Sequence, residues 1–134
     1  GVVLSPRGGA LKKMLLPFKL GLGGKIGSGR QWWSWIGLAD VVGAVRHVLS
    51  TDSLSGPINV TSPGPVTNDV FTKELGRALH RPTLFPLPAF AAKLILGEMA
   101  KGLLLSSARV EPKKLLASGY VFRTPTLKAA FDTL

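Results

Sequence analysis

The chain has 134 residues, with 17 lysines and arginines against 7 aspartates and glutamates, a net charge of +10 and no cysteine. This length suffices for one domain with its own core, and 46% hydrophobic against 18% charged residues excludes a disordered chain. Without cysteine there is no disulfide, thiolate nucleophile or cysteine-based zinc site, and with two histidines we predict no metal site. The basic excess suits nucleic acid or an anionic membrane surface as a partner.

The first twenty residues predict a strand, a loop and a helix. Residues 1–4 form an apolar run typical of a buried strand, and residues 5–9 are turn formers. Residues 10–20 have helical periodicity, and we expect Pro17 to end or kink that helix. Because the chain opens on a strand, we also expect it to be part of a longer protein.

A glycine-rich stretch and a tryptophan-rich stretch follow. Residues 21–30 predict a connector with a turn at 27–29, because a phosphate-binding loop would have to follow a strand and precede a helix. Residues 31–36 predict one strand, with Trp33 and Trp35 on one face and Trp32 on the other. A core role is the expectation for one of these faces.

The middle of the chain alternates helices with a short strand. Asp40 is expected to cap a helix that runs to about residue 50. Residues 57–61 predict a short strand between turn formers, and Thr67 is expected to cap a helix that ends near His80. Alternating helices and strands indicate an α/β or α+β fold.

The C-terminal part predicts mostly helix. Residues 86–105 are the most apolar window, but three charged residues interrupt it, which favours an amphipathic helix over a membrane span. A short helix is expected to start at residues 110–112, residues 120–122 are expected to be extended, and Thr126 is expected to open a helix through Leu134.

The residues by themselves indicate no complete active site. Arg30 and the tryptophans of Trp32–Trp35 could stack nucleic-acid bases, with Lys12 and Lys13 adding charge, or they could hold a planar small molecule. Ser5 and Ser34 lack a matching histidine and aspartate, and Asp40, Asp69 and Glu74 form no pair of carboxylates with a catalytic spacing. We therefore assign no catalytic residue.

Several segments together resemble extended short-chain dehydrogenases and NAD-dependent epimerases. Gly27–Asp40 resembles their GxGxQxxxxIHxxD block, and Gly56–Thr61 looks like their GxxNxxs strand. Further similar segments are Pro65–Phe71, Val110–Tyr120, and two longer runs, Gly8–Asp40 and Leu87–Ala100, which match uncharacterised epimerase-family proteins. The resemblance covers nearly the whole chain and maps to the C-terminal half of the family.

The resemblance implies an α/β fold: the C-terminal part of a Rossmann-like extended short-chain dehydrogenase/reductase. Residues 1–10 would supply a late strand of the parallel sheet and a loop at the cofactor edge. Residues 11–134 would form a small, mostly helical substrate lobe with a C-terminal helical extension. The N-terminal dinucleotide-binding half, with its glycine fingerprint and its catalytic tyrosine and lysine, would lie before this chain.

The resemblance also implies where ligands would bind. The loop after the first strand would face NAD or NADP, through Ser5, Pro6, Arg7 and Gly8. The substrate would contact Leu15, Phe18, Lys19, Arg30, Gln31, Trp32 and Trp33.

Three positions depart from the family pattern. Gly37 and Ala39 replace the histidine and the second acidic residue of the GxGxQ block, and Trp33 stands where sugar-nucleotide epimerases carry an arginine for the diphosphate. A tryptophan cannot make bidentate bonds to phosphate. The departures therefore favour a less charged substrate than a nucleotide sugar.

From the resemblance we expect the substrate-binding C-terminal fragment of an NAD(P)-dependent epimerase or oxidoreductase, inactive alone and without tight cofactor binding. The alternatives are a non-catalytic protein-interaction scaffold and a basic nucleic-acid-binding module. The expected partners are a small-molecule substrate and a second copy, which would pack on surface left bare by the missing half; we expect neither nucleic acid nor membrane. The expected location is cytoplasmic, or organellar if a leader lies upstream.

Overall fold

A computed structural model describes residues 2–5, 7, 9–86, 107 and 109–132. In this part of the chain the elements, in order, are β1 (Val2–Leu4), α1 (Gly9–Lys19), β2 (Trp32–Trp33), β3 (Trp35–Gly37), α2 (Leu38–Leu49), β4 (Val66–Thr67), α3 (Asn68–Leu79), α4 (Lys113–Ala117) and α5 (Leu127–Phe131). The helix expected at 86–105 lies almost entirely outside the described residues. None of the described helices combines the length and the apolar character that crossing a membrane requires.

Two small sheets organise the described elements. The parallel pair joins β1 to β3, with Val2 opposite Trp35 and Leu4 opposite Gly37. The antiparallel pair joins β2 to β4, with Trp32 opposite Thr67. A parallel pair needs a crossover connection, and the segment from α1 through the glycine-rich stretch supplies it.

The tryptophan-rich segment forms two strands, so the expectation of one continuous strand is wrong. The break is at Ser34, where β2 leaves β4 and β3 joins β1. The carbonyl of Ser34 accepts from the Val2 amide at 2.7 Å, and its hydroxyl accepts from the Val110 amide at 2.8 Å. The strand is therefore interrupted because its two halves pair with different partner strands, and no local feature of the sequence indicates this break.

Local sequence explains how several elements begin and end. Thr67 caps α3 as expected, because its hydroxyl accepts from the Val70 amide. Helix α1 passes Pro17 and ends two residues later, where Gly21 adopts a φ of 76° and its amide donates to the Phe18 carbonyl. The turn expected at 27–29 is present, with Gly27 and Gly29 both at positive φ.

Two clusters of buried apolar side chains lie on either side of β3. Trp35 belongs to the first and Ile36 to the second, because successive side chains of a strand point to opposite faces. The first cluster contains Leu4, Leu11, Leu15, Phe18, Ile26, Trp33, Trp35, Phe71, Leu75, Leu127, Ala130 and Phe131. The second contains Ile36, Ala44, Leu115 and Phe122. Trp33 and Trp35 share one cluster, which confirms the alternation expected from the sequence.

Two further expectations are wrong. Asp40 does not cap α2: the residue before that helix is Gly37, and Asp40 lies inside the first turn with its carboxylate bonded elsewhere. Residues 57–61 carry no strand. The end of this segment is instead fastened to the edge of β3, where the Thr61 hydroxyl and the Ser62 amide both donate to the Trp35 carbonyl.

Candidate functional site at the carboxyl ends of the parallel strands

The carboxyl ends of β1 and β3 lie side by side, because the two strands run parallel and in register up to Leu4 and Gly37. Helix α2 begins directly after β3, at Leu38, so its first free backbone N–H groups lie at this edge. In open α/β sheets, ligands bind outside the carboxyl ends of the strands. This edge is therefore where a ligand site is expected on physical grounds.

A cavity of about 260 Å³ opens at this edge. Its lining residues are Leu4, Ser5, Arg7, Gly37, Leu38, Ala39, Thr124 and Ala130. They come from four places: the end of β1 with the loop after it, the junction of β3 with α2, the segment before α5, and α5 itself.

The described lining of this cavity favours an electron-rich ligand group. Arg7 is its charged residue and is exposed, and no carboxylate is among the lining residues. The hydroxyl of Ser5 accepts from the Arg7 amide at 3.2 Å and so shapes the turn that carries the arginine. A cation beside the N-terminal turn of a helix suits a phosphate or a carboxamide oxygen.

Gly37 matters for the shape of the cavity. A Cβ at this position would lie 2.5 Å from the Thr124 hydroxyl oxygen, closer than such atoms approach. The Thr124 hydroxyl therefore occupies the space that a side chain at residue 37 would need. Glycine at position 37, in place of the histidine expected from the resemblance, therefore leaves room for the Thr124 hydroxyl.

Asp40 lies beneath the site and binds the C-terminal segment. Its carboxylate accepts from the Tyr120 hydroxyl at 2.7 Å and from the backbone amides of Arg123 and Thr124 at 2.8 and 2.9 Å. The Thr124 hydroxyl donates a fourth bond, at 2.8 Å. We call this set of contacts the Asp40 clasp; it fixes Thr124 against the cavity.

The clasp shifts two pKa values in opposite directions. Burial by itself would raise the pKa of the Asp40 carboxyl, but the bonds from Arg123, Thr124 and Tyr120 outweigh it and hold that pKa below its ordinary value. Burial, together with the hydrogen bond to the carboxylate and its charge, raises the pKa of Tyr120 to about 12. At neutral pH, Asp40 is therefore an anion and Tyr120 a neutral donor.

The structure brings together only part of the site expected from the sequence. Ser5 and Arg7 line the cavity, whereas Pro6 and Gly8 lie outside the described residues. Leu38, Ala39, Thr124 and Ala130 also line it and were not expected. The first two directly follow a strand, so the strand-end rule could have found them, but nothing local points to the other two.

Four of the residues expected to contact substrate are buried. Leu15, Phe18 and Trp33 belong to the first core cluster, where Trp33 meets Phe71 edge-on with ring centroids 4.8 Å apart. Gln31 is also buried, and its side-chain amide donates to the Ile26 carbonyl at 3.0 Å. In the described structure these four side chains are therefore packed in the interior, away from solvent.

The other three lie at the surface. Lys19 and Arg30 are exposed, and Trp32 is half-buried. The guanidinium of Arg109 stacks over the Trp32 ring, 4.5 Å from its centroid. Because Trp33 and Trp35 are in the core, the aromatic platform imagined for nucleic acid is reduced to Trp32.

A protein-family model matches one region of the chain, and known proteins match nearly all of it. A family model described as a domain of unknown function, DUF1731, matches residues 87–134. Over all 134 residues, the chain is 41% identical to an epimerase family protein of Staphylococcus aureus (strain MRSA252), of which it covers 44%. It is 46% identical over 130 residues to an epimerase family protein of Mycobacterium tuberculosis (strain CDC 1551 / Oshkosh), of which it covers 43%. The chain thus spans less than half the length of these relatives.

Solved structures agree with the sequence matches. The human epimerase family protein SDR39U1 (isoform 2), solved with NADPH, superposes on 99% of this chain with a TM-score of 0.92 and 41% identity, and the match covers 45% of that protein. A nucleoside-diphosphate sugar epimerase from Corynebacterium glutamicum matches 97% of this chain with a TM-score of 0.73 and 32% identity, over 24% of its own length. The expected α/β class is confirmed, as is the similarity to part of epimerase family proteins.

Proposed function

Because this chain corresponds in sequence and fold to the C-terminal part of epimerase family proteins, we propose that it forms the substrate lobe and one wall of the cofactor site in an NAD(P)-dependent epimerase or oxidoreductase. The reaction class is hydride transfer to or from a nicotinamide ring. No residue of this chain is proposed as catalytic. The division into an edge segment, residues 1–10, and a substrate lobe, residues 11–134, is part of the proposal.

The observation that carries the proposal is the cavity at the carboxyl ends of β1 and β3, with Ser5 and Arg7 on its rim. A relative that matches nearly all of this chain was solved with NADPH. The group fits the residues present: the first-turn amides of α2 and the Arg7 cation can hold a carboxamide or a phosphate, and no described carboxylate on the lining repels them. The nicotinamide would supply the hydride-transfer chemistry, and this chain would orient it.

The size of the cavity explains why we expect weak binding to this chain alone. A volume of about 260 Å³ is below the roughly 300–1,000 Å³ typical of small-molecule sites. One wall contributes part of the contacts and leaves most of a dinucleotide in water. We therefore propose that the chain alone neither binds NADPH tightly nor turns it over.

The proposed substrate contacts are the surface residues Lys19, Arg30 and Trp32. Trp32 offers a planar apolar face, and Arg109 already covers part of it. The Trp32 face suits a flat or apolar portion of a substrate, and the Lys19 and Arg30 cations suit an anionic portion.

Backbone NMR of the ¹⁵N-labelled chain tests the proposal directly. Adding NADPH to several millimolar should shift the amides of Ser5, Arg7, Leu38 and Ala39 with a dissociation constant in the millimolar range. Arg7→Gln should weaken this binding, whereas Arg77→Gln, on helix α3 and not among the lining residues of the cavity, should leave it unchanged. Shifts confined to other residues, no shifts at all, or NADPH oxidation by the chain alone would contradict the proposal.

One feature favours the scaffold alternative as a second candidate. Leu38, Val42, Val45 and Leu49 follow one another along α2 at helical spacing and are 45–80% exposed. Exposed apolar stripes of this kind mark interaction surfaces. If a second copy covers this stripe, the chain elutes as a dimer in size-exclusion chromatography and Leu49→Asp returns it to a monomer; a monomeric wild type removes this candidate.

A further inference from the structure

A second and larger depression runs along α2, between that helix and the segment 119–123. Its volume is about 700 Å³, within the range of small-molecule sites. Its lining residues are Leu38, Ala39, Val42, Gly43, Arg46, His47, Ser50, Gly119, Tyr120, Val121 and Arg123. We call it the α2 groove.

Both walls of the α2 groove are held in place by hydrogen bonds. The Asp40 clasp ties Tyr120 and Arg123 to the first turn of α2. Further along the helix, the Nε2 atom of His47 lies 2.8 Å from the Ser118 hydroxyl oxygen, which is a second tie between the same two elements. A groove fixed at two points is preformed, so a ligand would not have to open it.

The charged side chains of the α2 groove are cationic. Arg46 comes from the helix and Arg123 from the opposite wall, and none of the described residues that line the groove is an aspartate or a glutamate. Across residues 2–5, 7, 9–86, 107 and 109–132, the ion pairs found lie on α3, and neither guanidinium has a carboxylate within 4.0 Å. Guanidinium groups bind carboxylate and phosphate groups through paired, charge-assisted hydrogen bonds.

The rest of the groove lining is apolar and open to solvent. Leu38, Val42 and Val121 are 48%, 45% and 81% exposed, although they sit beside the two cations. The aromatic ring of Tyr120 adds a further apolar surface. Apolar surface that shares a groove with guanidinium groups is the complement of a molecule that has an apolar body and an anionic head.

We propose that the α2 groove binds an amphipathic anion, namely a carboxylate or phosphate monoester that carries an apolar chain or ring. The head group pairs with Arg46 and Arg123, and the body covers Leu38, Val42 and Val121. Leu38 and Ala39 also line the cavity at the strand ends, so the two sites adjoin. The binding of the anion does not depend on the proposed cofactor site.

One wall of the α2 groove comes from the region that matches the domain of unknown function. Gly119, Tyr120, Val121 and Arg123 form one wall of the groove, and they fall within residues 87–134, which match the domain of unknown function. On this proposal, the described end of that domain closes a ligand groove against α2.

Three probes separate the two halves of the proposed ligand. Octanoate has both an apolar chain and an anionic head, octanol has the chain without the charge, and inorganic phosphate has the charge without the chain. In calorimetric titrations of the 134-residue chain at low salt, octanoate should bind at least tenfold tighter than either of the others. In ¹⁵N NMR spectra, octanoate should shift the amides of Val42, Gly43, Gly119 and Val121.

Matched arginine substitutions locate the head group. Arg46→Gln and Arg123→Gln should each weaken octanoate binding about three- to tenfold. This is the loss of affinity expected when a charge-assisted hydrogen bond is removed from a partly exposed site. Arg77→Gln removes the same charge from α3 and should have no effect. All three changes are at exposed positions, so the variants should fold, and their amide spectra verify this before titration.

Three results would overturn the proposal. Octanol binding as tightly as octanoate would show a merely apolar patch, and equal octanoate binding by the wild type and the double variant Arg46→Gln/Arg123→Gln would remove the role of the arginines. Competition by NADPH for the same amides would make the groove an extension of the cofactor site. That last outcome leaves the proposed function intact, so the two proposals fail separately.

Discussion

The Asp40 clasp makes a quantitative prediction about stability. Asp40→Asn keeps the size of the side chain but replaces one of two acceptor oxygens with an NH₂ group. The oxygen Oδ1 accepts from the Tyr120 hydroxyl and the Arg123 amide, and Oδ2 accepts from the Thr124 amide and hydroxyl. Whichever way the new amide turns, one backbone N–H faces another donor.

The expected loss follows from that geometry. Asp40 is 0% exposed, so water cannot replace the missing acceptor. A buried donor without a partner costs about 1–3 kcal/mol, and the surviving bonds lose their charge assistance, so we expect a loss of about 2–4 kcal/mol. The free energy of unfolding of a typical domain is about 5–15 kcal/mol. The variant should therefore fold, but with a large fraction of its stability removed.

Urea unfolding followed by tryptophan fluorescence measures this loss, because Trp33 and Trp35 are buried in the core and report on its exposure. With a slope of about 2 kcal/mol per molar urea, the midpoint should fall by about 1–2 M. Asp52→Asn is the control, since Asp52 is exposed and should change stability by less than about 0.5 kcal/mol. Equal midpoints for Asp40→Asn and Asp52→Asn would refute the role assigned to the clasp.

The same clasp predicts the acid side of the stability profile. The pKa of Asp40 in the folded chain is below its ordinary value of 3.8, so the folded state releases that proton more readily than the unfolded state. The stabilisation is therefore complete above about pH 4 and is lost as the pH falls through the lowered folded pKa. Asp40→Asn should lack this acid-dependent component, and urea midpoints measured from pH 7 to pH 2.5 test the difference.

Three more predictions concern single side chains. Tyr120 is the one tyrosine of the chain, so absorbance at 295 nm should show a phenol with a pKa of about 12 while the chain is folded. Its stabilising contribution should be complete below pH 10 and should be lost as the pH rises through the folded pKa of about 12. A transition near pH 10 in the folded protein would contradict this. Gly43→Ala places a Cβ against the Tyr120 hydroxyl and should lower the thermal midpoint, whereas Gly64→Ala meets its nearest atom at 3.7 Å and should not. Phe71→Ala should cost about 3–5 kcal/mol in urea unfolding because that ring is 2% exposed, and Phe85→Ala, 58% exposed, should cost little; similar losses for both would count against the assigned core.

The sequence predicted those parts of the fold that depend on neighbours in the chain. The Thr67 cap, the glycine turn at 27–29 and the inward face of Trp33 each follow from residues within one or two turns or strand repeats. Propensity, capping and alternation act over that range, so they can be recognised without a structure. Ser5 and Arg7 differ in this respect, because the family resemblance, and not a local pattern, suggested that they face a ligand.

What only the tertiary structure decided involves residues far apart in the chain. Asp40 looked like a helix cap, because carboxylates favour that position, yet donors more than 80 residues away bind it more completely. The run of strand-forming residues at 31–36 is divided at Ser34, because the two halves of the run pair with different strands. The α2 groove combines a helix with a segment from near the end of the chain. Such choices depend on which distant groups fold together, and that information is absent from any local pattern in the sequence.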